Sequence, residues 1–163
     1  KNVGPAGVTV VLIRDDFLQR RKESLPTMLD YGTHTAKLFN TPPVFAVYVV
    51  GKVLHWLEDL GGLSAIQEIN ERKAARLYDR IDRTDFYRGT VTKEDRSRMN
   101  VTFRLPSEDL EKTFIDQARQ HDLLALKGHR SVGGIRASIY NACPEAAVDA
   151  LIAFMDDFES ERG

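Results

Sequence analysis

The sequence predicts an α/β protein in two parts, on three observations. Residues 8–13 (VTVVLI) are a continuous run of apolar, mostly β-branched side chains. That composition suits a strand covered on both faces, in a parallel sheet with helices on each side. Residues 44–60 are apolar over most of a helical circumference, which calls for burial in a core or at a subunit contact. From residue 85 onward, short alternating segments and helical-period segments follow one another in the order β-α-β-β-α. The expected organisation is therefore residues 1–63 as the end of a larger α/β domain, 64–84 as a linking helix, and 85–163 as a small C-terminal α/β domain.

Each element has a local reason. After the first strand, residues 14–39 are polar and irregular, a loop long enough to be functional or to pack against a partner. Thr41, Pro42 and Pro43 open the apolar helix: Thr caps, and proline at the first helical position loses no hydrogen bond. Gly61 and Gly62 end it. Ser64 and Gln67 have capping-box spacing for the next helix. That helix carries Ile66, Ile69, Leu77 and Ile81 on one stripe. Glu68, Glu71, Arg72, Lys73, Arg76 and Asp79 are expected on its solvated side.

Residues 101–105 (VTFRL) alternate as a half-buried strand, with Arg104 on its polar side. Ser107 caps a helix whose first turn holds Glu108 and Asp109 and whose inner face is Leu110, Phe114 and Ala118. Residues 123–127 and 135–140 read as two further strands. Pro144 begins a final helix with Val148, Leu151, Ile152, Met155 and Phe158 at helical spacing. Trp56 is expected in a core; Arg96, Arg98, Arg104 and the pairs Asp15–Asp16 and Asp156–Asp157 are expected at the surface.

Composition excludes several functions. The 163 residues hold 23 Lys and Arg against 24 Asp and Glu, a net charge of −1, without the cationic excess that phosphate neutralisation on nucleic acid needs. No stretch reaches the run of about 20 apolar residues that spans a bilayer. Cys143 stands alone, so no intrachain disulfide forms and a reducing compartment, the cytoplasm, is the natural reading. His34, His55 and His121 show no ligand spacing with one another or with Cys143, so no metal site is expected.

Three clusters carry candidate chemistry. Lys127, His129, Arg130 and Arg136 surround Gly128, Gly133 and Gly134. Arginine forks match carboxylate or phosphate, and glycines admit close backbone approach, so this is either a pocket for a small dianion or a glycine hairpin with solvated cations. Asn40 and Thr41 precede a helix whose first residues, Pro42 and Pro43, have no backbone N–H. An anion there is held by the two side chains, unless the segment is a plain cap. Lys1 stands beside Asn2 and a Gly-Pro-Ala-Gly turn ahead of the first strand, where α/β sheets place ligands. A desolvated lysine there becomes a nucleophile for carbonyls; otherwise it is a solvated surface group.

Together the segments KNVGPAGVTVV, LFNTPP, DFYRG with RSRMNV, and KGHRSVGGIRASIYNA strongly resemble the C-terminal part of the phosphoserine aminotransferases. These are pyridoxal-phosphate (PLP) enzymes of the class V aminotransferases. The resemblance runs over essentially the whole chain and implies that an N-terminal part of the same enzyme is missing. It assigns Lys1 as the Schiff-base lysine, which moves a proton once substrate displaces it. Asn40 and Thr41 are assigned to the PLP phosphate of the neighbouring subunit of a homodimer with shared active sites. His129 and Arg130 are assigned to the substrate's phosphate or distal carboxylate, and Arg136 to its α-carboxylate. The implied reaction is transamination between phosphoserine with 2-oxoglutarate and 3-phosphohydroxypyruvate with glutamate, in serine biosynthesis, with the isolated chain inactive. The other readings are a non-catalytic domain binding an anionic metabolite, a dimerisation fragment, and another class V aminotransferase.

Overall fold

The computed structural model describes every residue except Lys1, Glu23 and Ala36. The chain divides into two compact units, one of Val3–Asp59 and one of Asn2 with Leu60–Gly163.

In the first unit, Arg14 precedes the short helix α1 (Asp15–Leu18) and forks onto Asp16 with bonds of 2.9 and 2.8 Å. A 3-10 turn at Thr27–Leu29 leads to α2 (Tyr31–Thr35), where Asp30 Oδ1 accepts the Gly32 amide at 2.8 Å. Helix α3 (Val44–Asp59) begins directly after Pro43, as its sequence predicts. A Cβ on Gly4 would lie 2.6 Å from Val50 Cγ2, so only glycine lets the backbone approach the helix this closely.

Two expectations fail in this unit. Residues 8–13 form no strand, because the described part of the unit contains no other strand to pair with them, and Leu12 is 94% exposed. No parallel sheet is present among the described residues. In α3 only Ala46 is buried; Phe45 is 76% exposed and Trp56, expected in a core, is 40% exposed. The helix is apolar around most of its circumference, but the described residues of this unit cover little more than the strip at Ala46 and Val50.

The second unit is built on α4 (Gly62–Asp82). The helix starts earlier than a capping box would place it: left-handed Gly61 is the N-cap, Ser64 lies inside, and Gln67 Nε2 instead donates to Glu71 at 2.9 Å. Strands β1 (Arg88–Gly89), β2 (Asn100–Arg104) and β3 (Ile135–Ser138) form one antiparallel sheet in that order. Helix α5 (Glu108–Gln120) connects β2 to β3, and α6 (Glu145–Arg162) closes the chain after Pro144. Ser107 Oγ caps α5 by accepting the Leu110 amide at 3.2 Å.

The order from residue 85 is thus β-β-α-β-α, not β-α-β-β-α. Two residues of β1 are too few to show an alternating pattern. Residues 123–127 are not a strand but contribute a single bridge, Lys127 to Ile135. The left-handed backbone of Asp122 and Ala125, φ 60° and 61°, is incompatible with an extended ladder.

Period-2 alternation sends Val101 and Phe103 of β2 into the core and leaves Asn100, Thr102 and Arg104 on the open face. The core joins Leu77 and Ile81 of α4, Phe114 and Ala118 of α5, and Val148, Met155 and Phe158 of α6 to the sheet. Phe114 is its hub, edge-on to Phe103, Phe154 and Phe158 at 6.0, 4.9 and 5.1 Å. Such contacts add about 0.5–1.5 kcal/mol each to the area they bury.

Several polar residues are structural here, among them Lys73 and Arg96, which were expected at the surface. Lys73 is fully buried and donates to the carbonyls of Ile139, Tyr140 and Cys143 at 3.3, 2.9 and 3.0 Å. Burial lowers its pKa. Arg80, 2% exposed at the side chain, pairs with Asp156 at 2.5 Å and Glu159 at 2.6 Å and lies over the Tyr87 ring. Arg96 forks onto Asp82 with two 2.7 Å bonds and stacks on Tyr78, and this holds the Asp82 carboxyl below its usual range. Asn2 belongs to this unit because its Oδ1 accepts the Asn141 amide at 3.1 Å.

Candidate functional site

The site of the second unit lies at the open face of the sheet and the loop of residues 128–134. Register places Thr102 opposite Arg136, and Arg88 opposite Arg104. Alternation on β3 buries Ile135 and Ala137 and turns Arg136 to the same open face. Its Nε is buried with no hydrogen-bond partner among the described residues. A buried, unpaired guanidinium donor is costly, and a ligand oxygen or water removes that cost.

The 128–134 loop is pinched at its base and wound inside. Gly128 N–H donates to Gly134 O at 2.8 Å, and Gly133 N–H donates to His129 O at 2.8 Å. Gly133 and Gly134 both have positive φ, 74° and 72°, so the sharp return into β3 requires glycine. Within the loop, the Ser131 amide donates to His129 Nδ1 at 3.2 Å. Nδ1 is therefore an acceptor, and in the neutral imidazole the proton sits on Nε2, which is left as a donor.

Two adjoining cavities share the loop. The first, about 450 Å³, is lined by Arg88, Thr90, Thr102, Arg104, His129 and Arg136. The second, about 710 Å³, is lined by Arg104, Lys112, Lys127, His129 and Arg130, among others. His129 and Arg104 face both. The structure thus places His129 at both cavities, Arg136 at the first and Arg130 at the second, whose wall also includes Glu108 and Glu111. Arg88, Thr102 and Arg104 were missed as lining residues. Arg104's signal was its place on the polar side of β2, but only the register shows that this side faces the glycine loop.

The other predicted residues belong to the first unit or lie outside the description. Asn40 and Thr41 are exposed just ahead of α3, and Asn40 Nδ2 donates to Thr41 O at 3.2 Å. Lys1 lies outside the described residues.

The sequence and the fold match known proteins. The sequence profile of the family "Aminotransferase class-V" matches residues 1–151. The chain belongs to the class-V aminotransferase family. Within it, the chain is 51% identical to phosphoserine aminotransferase of Niallia circulans over all of its own length and 46% of that enzyme's. It is 55% identical to the enzyme of Desulfotalea psychrophila over 99% of its length and 45% of the relative's. The chain therefore spans about half the length of the curated relatives it matches. Among solved structures, it superposes on phosphoserine aminotransferase from Bacillus circulans subsp. alkalophilus with a TM-score of 0.96 and 51% identity, covering 100% of this chain and 46% of that one. A PLP-bound phosphoserine aminotransferase from Trichomonas vaginalis matches with a TM-score of 0.83 and 41% identity, covering 88% and 42% of the two chains.

Proposed function

We propose that this chain is the C-terminal part of a PLP-dependent phosphoserine aminotransferase and carries the anion-binding half of its substrate site. The observation that carries this reading is the convergence of Arg136, with its unpaired buried Nε, and the His129–Arg130 loop on one surface. Arg136 takes the substrate α-carboxylate. Arg130 and the His129 Nε2–H take the phosphate of phosphoserine, or the distal carboxylate of glutamate and 2-oxoglutarate. Charge-assisted bonds of this kind are about twice as strong as neutral ones and orient the substrate.

The first unit supplies groups that fit the cofactor. The Asn40 amide and Thr41 hydroxyl are exposed donors placed where Pro42 and Pro43 offer none from the backbone, a donor set suited to a phosphate of the neighbouring subunit. When bound, PLP supplies an electron sink for the carbanion at the substrate Cα. Lys1 would be the lysine that holds it, and its freed amine would carry the proton between the substrate Cα and the cofactor's C4′ carbon. A homodimer with shared sites, together with the rest of the enzyme, supplies what covers the exposed apolar face of α3. The cytoplasm is the compartment.

The test is a calorimetric titration of the chain with phosphoserine and with serine. Phosphoserine is expected to bind at least tenfold more tightly, since one charge-assisted contact is worth about 1.5–3 kcal/mol. Arg130→Ala removes that preference, whereas Arg136→Ala weakens both ligands. Equal affinities for phosphoserine and serine in the unsubstituted chain overturn the assignment. Borohydride reduction in the presence of PLP, followed by peptide mapping, is expected to place the adduct on Lys1.

A further inference from the structure

We infer that Arg104, clamped by Glu111, is the positioning residue that holds the 128–134 loop in its ligand-ready shape. This inference rests on the anion-site reading above and extends it to a residue that makes no contact with the ligand in that reading.

Arg104 projects from the open face of β2 and is only 26% exposed at the side chain. Its Nε lies 3.2 Å from Glu111 Oε1, and Glu111 is itself 9% exposed on the first turn of α5. The same Glu111 oxygen accepts the Leu105 amide at 3.4 Å, so it is fastened to the end of β2. From this fixed point Arg104 Nη1 donates to the carbonyl of Val132 at 3.1 Å. The side chain passes beneath the glycine turn: a Cβ on Gly133 would lie 2.7 Å from Nη1, and one on Gly134 would lie 2.8 Å from Cδ. The two glycines and the arginine occupy one space jointly.

The charge arrangement separates this arginine from its neighbours. Among the described residues Arg130 and Arg136 have no carboxylate partner, whereas Arg104 is paired. Its charge is committed to Glu111 and one of its donors to the loop. Its contribution to anion binding is therefore indirect: it fixes the carbonyl of Val132 one turn after His129 and Arg130. Once this bond is lost, the described bonds that hold the loop are internal to it: the Gly128 amide to Gly134 O, the Val132 and Gly133 amides to His129 O, and the Ser131 amide to His129 Nδ1. Binding must then also order the loop, and that cost appears as lost affinity.

The experiment measures two quantities on the 163-residue chain. One is amide hydrogen exchange at Gly128 and Gly133 by NMR without ligand; the other is phosphoserine affinity. Arg104→Met removes the donor and keeps an apolar stem, and it is expected to speed exchange and weaken phosphoserine about tenfold, the worth of one hydrogen bond from a charged donor. Arg104→Gln keeps a donor for Val132 O without the charge and is expected to restore most of both. Arg130→Ala is the contrast, losing phosphoserine with exchange unchanged. Unchanged exchange in Arg104→Met overturns the inference, as does faster exchange with unaltered affinity. Equal exchange in the Met and Gln variants also overturns it, and this arm stands even if one variant is poorly stable. Failure of the unsubstituted chain to bind phosphoserine refutes the anion-site reading instead, and exchange alone then decides what Arg104 does to the loop.

Discussion

Lys73 offers the sharpest test of how the second unit is held together. It is a fully buried ammonium that donates to three carbonyls, at 3.3, 2.9 and 3.0 Å, in the segment joining β3 to α6. Lys73→Met preserves the stem and deletes the charge and all three bonds. Each bond from a charged donor is worth about 1.5–3 kcal/mol, while desolvating the ammonium costs several. The carbonyls left behind add their own penalty, and the net expected loss is about 3 kcal/mol. At about 2–4 °C per kcal/mol for a chain of this size, the melting temperature falls by roughly 10 °C.

The pH dependence supplies an independent check. Burial lowers the Lys73 pKa from its ordinary 10.5. Between the folded and unfolded values the unfolded chain binds the proton that the folded chain releases, so this group adds stability as pH rises. The gap between the unsubstituted chain and Lys73→Met therefore widens toward pH 10.5. Thermal unfolding by circular dichroism from neutral pH to about pH 10 measures both quantities. A melting shift below about 2 °C, within what a surface substitution produces, would refute the tether. A gap that narrows with pH would refute the charge argument.

Two further outcomes follow from the same geometry. Gly128→Ala places a Cβ 2.6 Å from Gly134 O, against backbone that cannot yield without opening the loop base. The expected cost is about 1–3 kcal/mol, read by calorimetry, with a clear loss of phosphoserine affinity; undiminished affinity would contradict the loop's role. Asp82 is held below its ordinary 3.8 chiefly by its bonds from Arg96, so its stabilisation is present above pH 3.8 and is lost as pH falls through the lower folded value. Arg96→Met is expected to cost about 1 kcal/mol at pH 7, a deficit that closes on acidification; a deficit independent of pH would show that the pair contributes no charge energy.

The sequence by itself determined the four long helices and named candidate site residues, but it read the stretch that holds the short α1 and α2 as an irregular loop. Long elements announce themselves locally: α3 and α6 start directly after Pro43 and Pro144, and Ser107 caps α5. The cluster of His129, Arg130 and Arg136 around Gly128, Gly133 and Gly134 was legible as a candidate, with a glycine hairpin bearing solvated cations as the alternative, and the resemblance rather than the local pattern gave each residue a role. Burial and pairing were legible only in part, since they are properties of neighbours far along the chain. Residues 8–13 have the composition of a central strand, yet a strand exists only where another pairs with it. Lys73 looked solvated, and Arg80 drew no reading, because helical periodicity ranks a position by its own side chain. It takes no account of carbonyls at 139–143, or of carboxylates at 156 and 159, about seventy residues or more away. Arg104 shows the same division. Alternation assigned it to the polar face of β2, but only the antiparallel register with β3 set that face under the glycine turn and gave its charge a carboxylate and its donor a loop carbonyl.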